Sequence, residues 1–209
     1  RQLPRERLHQ VRDLALSPTW PLASGAGRVF EAGGALLGLT TINSWEGEAA
    51  ARLEALAGQS ARRPEPWGEL CAPVPAGKGH GTRLASAELL AAAARRLIGG
   101  EPAVDVAAGF HTTFCRLAVD LTCRVAGTWR GLVALGGGCM VNRLLLTGLG
   151  QGLGRAGFEV LRPQRLPPGD GALSYGQAVL AATAQVRERP LEALERPSAT
   201  FQPAAPSIP

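Results

Sequence analysis

Lysine is almost missing from this chain: Lys78 is the only one. The formal net charge of +5 is therefore carried by arginines, scattered as at Arg62-Arg63 and Arg95-Arg96. Aromatic residues are also scarce, at 5% of the total, and they do not interleave with the arginines. A basic stripe with interleaved aromatics is the footprint of a nucleic-acid surface, so none is expected here. The four cysteines, Cys71, Cys115, Cys123 and Cys139, form no C-x-x-C pair. Their spacing supplies neither a zinc site nor a disulfide framework, and free thiols in a reducing cytoplasm are expected. No run of about 18 uninterrupted apolar residues exists, which excludes a helical membrane span. A charged-then-apolar signal pattern is missing from the N-terminus. So is an initiator methionine, and a piece of a longer protein is the expectation.

What is present is a globular composition: 209 residues, 45% hydrophobic and 19% charged, enough for one domain or two small lobes. The 27 glycines and 16 prolines punctuate the chain clearly. Helices are expected over residues 6–16, 28–37 and 49–57, the second well buried because its apolar positions are nearly continuous. Residues 59–82 hold four prolines and read as a connection, with one short strand around Leu70. Ser86 is expected to cap a helix over 87–98, and Pro102 to open the longest helix, over 103–125. Leu132–Leu135 and Phe158–Leu161 read as strands, with a helix over 142–153 between them and a last helix over 172–186. Residues 188–209 read as a loose Pro/Ala-rich tail. The order is helices first, then strand–helix–strand–helix, an α/β pattern with strongly helical content.

The stretch richest in chemical meaning is Val133-Ala134-Leu135-Gly136-Gly137-Gly138, read as a buried strand that ends in glycines and runs into the next helix. Three glycines leave bare backbone N–H groups, and a helix N-terminus favours negative charge. A phosphate or nucleotide suits that turn, and so does a tight connection with nothing bound. Asp170, between Gly169 and Gly171, suits either a metal or sugar contact or a helix N-cap. His111 lies within the longest helix with no partner at metal-ligand spacing, and reads as a satisfied polar residue at a packing seam. Cys139 stands where a helix start could lower a thiol pKa, but no Cys–His–Asp set accompanies it. Glu31, Glu46 and Glu48 sit near helix N-termini, as surface acids complementing the dipole or as acceptors for ribose hydroxyls.

Several separated segments together resemble one family. Ser24-Gly25-Ala26-Gly27-Arg28-Val29-Phe30-Glu31-Ala32 is similar to S-S-x-G-R-x-F-D-A. Trp45-Glu46-Gly47-Glu48-Ala49-Ala50 is similar to Y-E-G-x-A-A, and Phe110-His111-Thr112-Thr113 to F-H-N-T. Leu135 to Leu145 is similar to L-S-G-G-V-F-Q-N-R-x-L, and Pro167 to Ala178 to P-P-N-D-G-G-x-x-x-G-Q-A. These patterns, in this order, resemble the C-terminal, Kae1-like part of the hydrogenase-maturation carbamoyltransferases of the HypF family.

The resemblance implies an ASKHA (actin-like ATPase, RNase H-like) lobe, a partial domain over residues 1–187, and an ATP site between two lobes. Gly136, Gly137 and Gly138 would lie against the nucleotide and Asn142 against its sugar or base. Glu31, Glu46 and Gly47 would line the ribose wall, and Asp170 would ligate a divalent metal. The family makes a carbamoyl adenylate from carbamoyl phosphate and ATP. It then carbamoylates the C-terminal cysteine of a HypE partner on the route to the cyanide ligands of [NiFe] hydrogenase. Glu31 departs from the pattern's Asp, Gly136 from Ser, Gly169 from Asn and Trp45 from Tyr. A histidine pair that completes the family's metal site belongs to a segment with no counterpart here. The resemblance thus leaves three readings: a HypF-like carbamoyltransferase needing the upstream remainder of its chain, an O-carbamoyltransferase of secondary metabolism, or a non-catalytic nucleotide-binding remnant. A freely exposed apolar wall is expected where the missing half would pack.

Overall fold

The computed structural model describes residues 4–17, 25–62, 64–70, 74–75 and 82–186. The chain divides into two units, Arg1–Asp170 and Gly171–Pro209.

The first unit is built around one long helix. Helix α1 (Arg5–Leu16) comes first and buries no residue. Helices α2 (Ala26–Leu36) and α3 (Glu48–Ala57) follow. The two-residue strands β1 (Val74–Pro75) and β2 (Thr82–Arg83) pair antiparallel. Helices α4 (Ser86–Ile98) and α5 (Ala103–Ala126) come next. Strands β3 (Leu132–Ala134) and β4 (Glu159–Leu161) pair parallel, Leu132 opposite Glu159, and α6 (Arg143–Arg155) connects them. The second unit begins within a 3-10 turn, Asp170–Ala172, and contains α7 (Leu173–Val186).

Helix α5 is the axis of the core. Pro102 fixes its N-cap, and Gly127 stops it with φ of 56°. Helices α3, α4 and α6 all pack on it. Its middle is therefore buried all round, from Val106 through His111. Phe30 of α2 reaches this seam and meets Phe110 and Phe114 edge-on, at ring separations of 5.6 and 4.8 Å. Leu53 of α3, Leu89 of α4 and Leu145 of α6 bring the other helices in, and all are fully buried, as is Leu117 of α5.

Several expectations change. Helix α2 buries Phe30 with Gly33 and Gly34, whereas Ala32 and Leu36 are exposed. The buried face is the glycine face, because a Cβ at Gly34 would run into the Ala49 carbonyl of α3. No strand forms at Leu70; its side chain is buried and its carbonyl accepts from the Arg116 guanidinium. Ser86 is the first residue of α4 rather than its cap, and makes no capping bond.

Strand β3 is not buried: Leu132 is 48% exposed, and Leu161 of β4 is 50% exposed. Parallel strands normally need cover on both faces, and here α6 lies against β4 while no other described helix makes more than marginal contact with either strand. The tail over 188–209 lies outside the described residues. Among the described residues no helix is long and apolar enough to cross a membrane.

Candidate functional site

The glycine segment leaves β3 as an exposed turn. Gly136, Gly137 and Gly138 are all exposed, and nothing lies within 4 Å of a Cβ built on any of them. Gly137 holds φ at 91° and ψ at 163°, a conformation essentially confined to glycine. Its N–H donates to the Pro168 carbonyl at 2.7 Å, which docks the Pro168-Gly169-Asp170 loop on the turn. A Cβ on Gly169 would meet the Gly138 Cα at 3.3 Å, so the two loops touch backbone to backbone.

The glycines do not run straight into α6. One 3-10 turn, Gly138–Val141, stands between them, and as its first residue Gly138 cannot pair its N–H within the turn. The N-terminus of α6 is already satisfied from inside the protein. Asn142 caps it by accepting the Leu145 N–H at 2.9 Å, and the Glu54 carboxylate accepts the Arg143 N–H at 2.8 Å. An anion at this corner therefore meets the glycine turn, and the helix end expected to attract it is occupied by Glu54.

Asn142 reaches one step further. Its amide nitrogen lies 3.0 Å from His111 Nε2, and His111 Nδ1 lies 2.8 Å from the Ala107 carbonyl. His111 is 3% exposed and packs its ring on Phe30 at 5.1 Å. Burial holds its pKa below the usual value, against the pull of the Ala107 carbonyl, so the imidazole is neutral. The packing-seam reading of His111 holds.

The acidic wall is more tightly tied than its sequence suggested. Glu31 pairs with Arg28 at 2.7 Å and accepts from the Asn43 amide at 3.3 Å. Asn43 also accepts the Ala49 N–H at 3.3 Å, linking Glu31 to the start of α3. Glu48 is 4% exposed and is not a surface acid. It accepts the Ser44 N–H at 2.5 Å and pairs with Arg52 at 2.7 Å. The Ser44 N–H, then Arg52, hold its carboxyl below the usual value despite burial. Glu46 is exposed, and Gly47 caps α3 with φ of 81°.

Cys139 joins the two walls. A Cβ on Gly27 would meet its Sγ at 3.5 Å, and both Arg28 and Glu31 act on its thiol electrostatically. Burial raises the Cys139 pKa, so no helix start activates it. Burial likewise pushes Cys115 up to about 12.

Asp170 is exposed and makes no hydrogen bond among the described residues. Among the described residues no three His, Cys, Asp or Glu side chains gather to hold a metal ion. A catalytic metal normally takes about three protein ligands, so the residues present do not by themselves fit one. The structure thus brings together Gly136, Gly137, Gly138, Asn142 and the Asp170 loop, and sets Glu31 beside them through Cys139. Asn43, Glu54 and the buried role of Glu48 escaped sequence reasoning. The one signal for Asn43 and Glu48 was the polar set Thr40, Thr41, Asn43 and Ser44 ahead of a helix start; Glu54 had none.

Known proteins share this arrangement of elements. The chain is 36% identical over 163 residues to the carbamoyltransferase HypF of Rhizobium leguminosarum bv. viciae, covering 77% of this chain and 20% of that one. It is 33% identical over 181 residues to the HypF of Rhodobacter capsulatus, covering 86% of this chain and 22% of the other. It thus spans about a fifth of the length of these relatives. A crystal structure of full-length HypF in the phosphate- and nucleotide-bound form superimposes with a TM-score of 0.70 at 29% identity, over 86% of this chain and 28% of that one. The HypF of T. kodakarensis shares the fold at a TM-score of 0.65 and 23% identity, over 88% of this chain and 23% of that one. The family model described as "Carbamoyltransferase, Kae1-like Domain, second subdomain" matches residues 2–177, and the chain belongs to that family.

Proposed function

We propose that this chain supplies the nucleotide-binding wall of a HypF-like carbamoyltransferase, within an ASKHA-type domain. The observation that carries the reading is the exposed Gly136–Gly138 turn, docked on the Pro168–Asp170 loop and free of side chains where a phosphate would approach. Its family relative is a nucleotide-bound HypF. Backbone N–H groups placed in advance stabilise phosphate charge without reorganising during reaction. The Gly136 and Gly138 N–H groups take the phosphates, Gly137, whose N–H is held by the Pro168 carbonyl, sets the bare turn against them, and Glu31, Glu46 and Gly47 form the ribose side. Asn142 meets the nucleotide with whatever hydrogen-bonding capacity its cap leaves free. Asp170 contributes one ligand to a divalent metal whose other ligands come from outside the described residues. The carbamoyl group passes from carbamoyl phosphate, through a carbamoyl adenylate, to the C-terminal cysteine of a HypE-like acceptor in the cytoplasm. The domain extends over residues 1–187, with 188–209 as a tail, and the upstream remainder of a HypF chain completes the cleft.

The intact protein is incubated with ATP, carbamoyl phosphate and either a HypE C-terminal peptide or a small alcohol. Carbamoylation of the peptide cysteine is expected. Transfer to the alcohol alone supports an O-carbamoyltransferase, and nucleotide binding without any product supports a remnant; either result rejects the HypE assignment.

A further inference from the structure

The hydrogen-bond partners of Asn142 fix which of its atoms faces which neighbour. The Leu145 N–H can only donate, so the atom 2.9 Å from it is the amide oxygen. The amide nitrogen therefore faces His111 Nε2, and that ring atom must accept. The Ala107 carbonyl can only accept, so His111 Nδ1 carries the ring proton. The chain of donors runs Leu145 to Asn142, Asn142 to His111, and His111 to Ala107. Every link has one allowed direction. Asn142 is only partly buried, and no described residue accepts its second amide hydrogen; its own N–H is joined to the glycine turn through the Cys139 carbonyl at 3.1 Å.

We propose that His111 is a positioning residue that sets the polarity of Asn142, so that the cleft presents an N–H donor at this point and selects an acceptor atom of the nucleotide. This rests on the nucleotide reading above and adds to it the hydrogen-bonding character of one contact. Turning the Asn142 amide over would set its oxygen against the His111 lone pair and its nitrogen against the Leu145 N–H, breaking both links. Protonating His111 would set two donors face to face, and the amide could satisfy the ring only by leaving its helix cap. Burial is the larger influence on this ring and the Ala107 carbonyl opposes it; the ionisable groups on the surrounding elements are Arg28 and Glu31 of α2, Glu54 of α3, Cys139 of the turn and Arg143 of α6.

The test uses the intact chain labelled with 15N-histidine, together with calorimetric titration of ATP–Mg2+ at pH about 7.5 and about 5.5. His111 is expected as the Nδ1–H tautomer at neutral pH. Asn142→Asp keeps a good helix cap but replaces the donor with a carboxylate oxygen, and is expected to convert His111 to imidazolium. In ATP binding, His111→Ala is expected to weaken affinity about three- to tenfold, the worth of one misplaced hydrogen bond. His111→Gln offers a neutral acceptor in place of Nε2. It is expected to restore affinity and to abolish the loss that wild type shows at the lower pH. An Nε2–H tautomer in wild type overturns the inference, as does His111→Ala binding ATP as tightly as wild type. A wild-type chain with the stated tautomer and the stated Asn142→Asp response that binds no ATP removes the nucleotide reading and leaves the polarity of Asn142 established.

Discussion

Gly137 is where backbone conformation and proposed function meet in one residue. A Cβ there has room but not a compatible backbone, since φ of 91° with ψ of 163° is strained for any other residue. Gly137→Ala is expected to lower unfolding free energy by about 1–3 kcal/mol in urea. Gly136→Ala, at a position with open space and no positive φ, is expected to stay within about 0.5 kcal/mol. Equal losses at both would show that the turn is not held as described. His111 sets a pH dependence. Its folded pKa lies below the usual 6.5, so its contribution to stability is complete above 6.5 and is lost as pH falls from there through the folded value. Glu48 behaves alike at lower pH. Its depressed carboxyl stabilises the fold above 4.5 and loses that contribution as pH falls further. Melting temperatures followed against pH are expected to lose the upper step in His111→Gln and the lower step in Glu48→Gln.

Between elements, the tightest constraint is the approach of α2 to α3. Gly34→Ala places a methyl against the Ala49 carbonyl and is expected to cost about 1–3 kcal/mol. Leu53→Ala, across the same contact and fully buried, is expected to cost about 2–5 kcal/mol through its cavity. Denaturant midpoints compare the two directly. The helices were legible in the sequence because Gly and Pro mark their ends and apolar residues recur at helical spacing. The buried face of α2 was not legible, because two glycines pack it and glycine carries no hydrophobic signal. The strand at Leu70 was misplaced because one apolar residue among prolines packs from a loop, its carbonyl held by Arg116 from a distant helix. The 3-10 turn after Gly137 was hidden because its sequence, Gly138 to Val141, reads as the start of the following helix.

At the scale of the molecule, separated motifs converge as their order in the sequence suggested, but the means of convergence are local polar links. Asn43 ties Glu31 to α3, Glu54 occupies the end of α6, and His111 turns Asn142. Spacing exposed none of these, since each pairs residues from different elements. The half-exposed β3–β4 pair and the incomplete ligand set at Asp170 both fit a chain that spans about a fifth of its relatives. In the proposed function the glycine turn and the Asp170 loop form one nucleotide wall. Its most direct test is calorimetric titration of the intact protein with ATP and Mg2+, comparing wild type, Gly137→Val and Asp170→Ala. Binding by wild type and marked weakening in both variants is the expected result. Binding that neither variant weakens would contradict the claim.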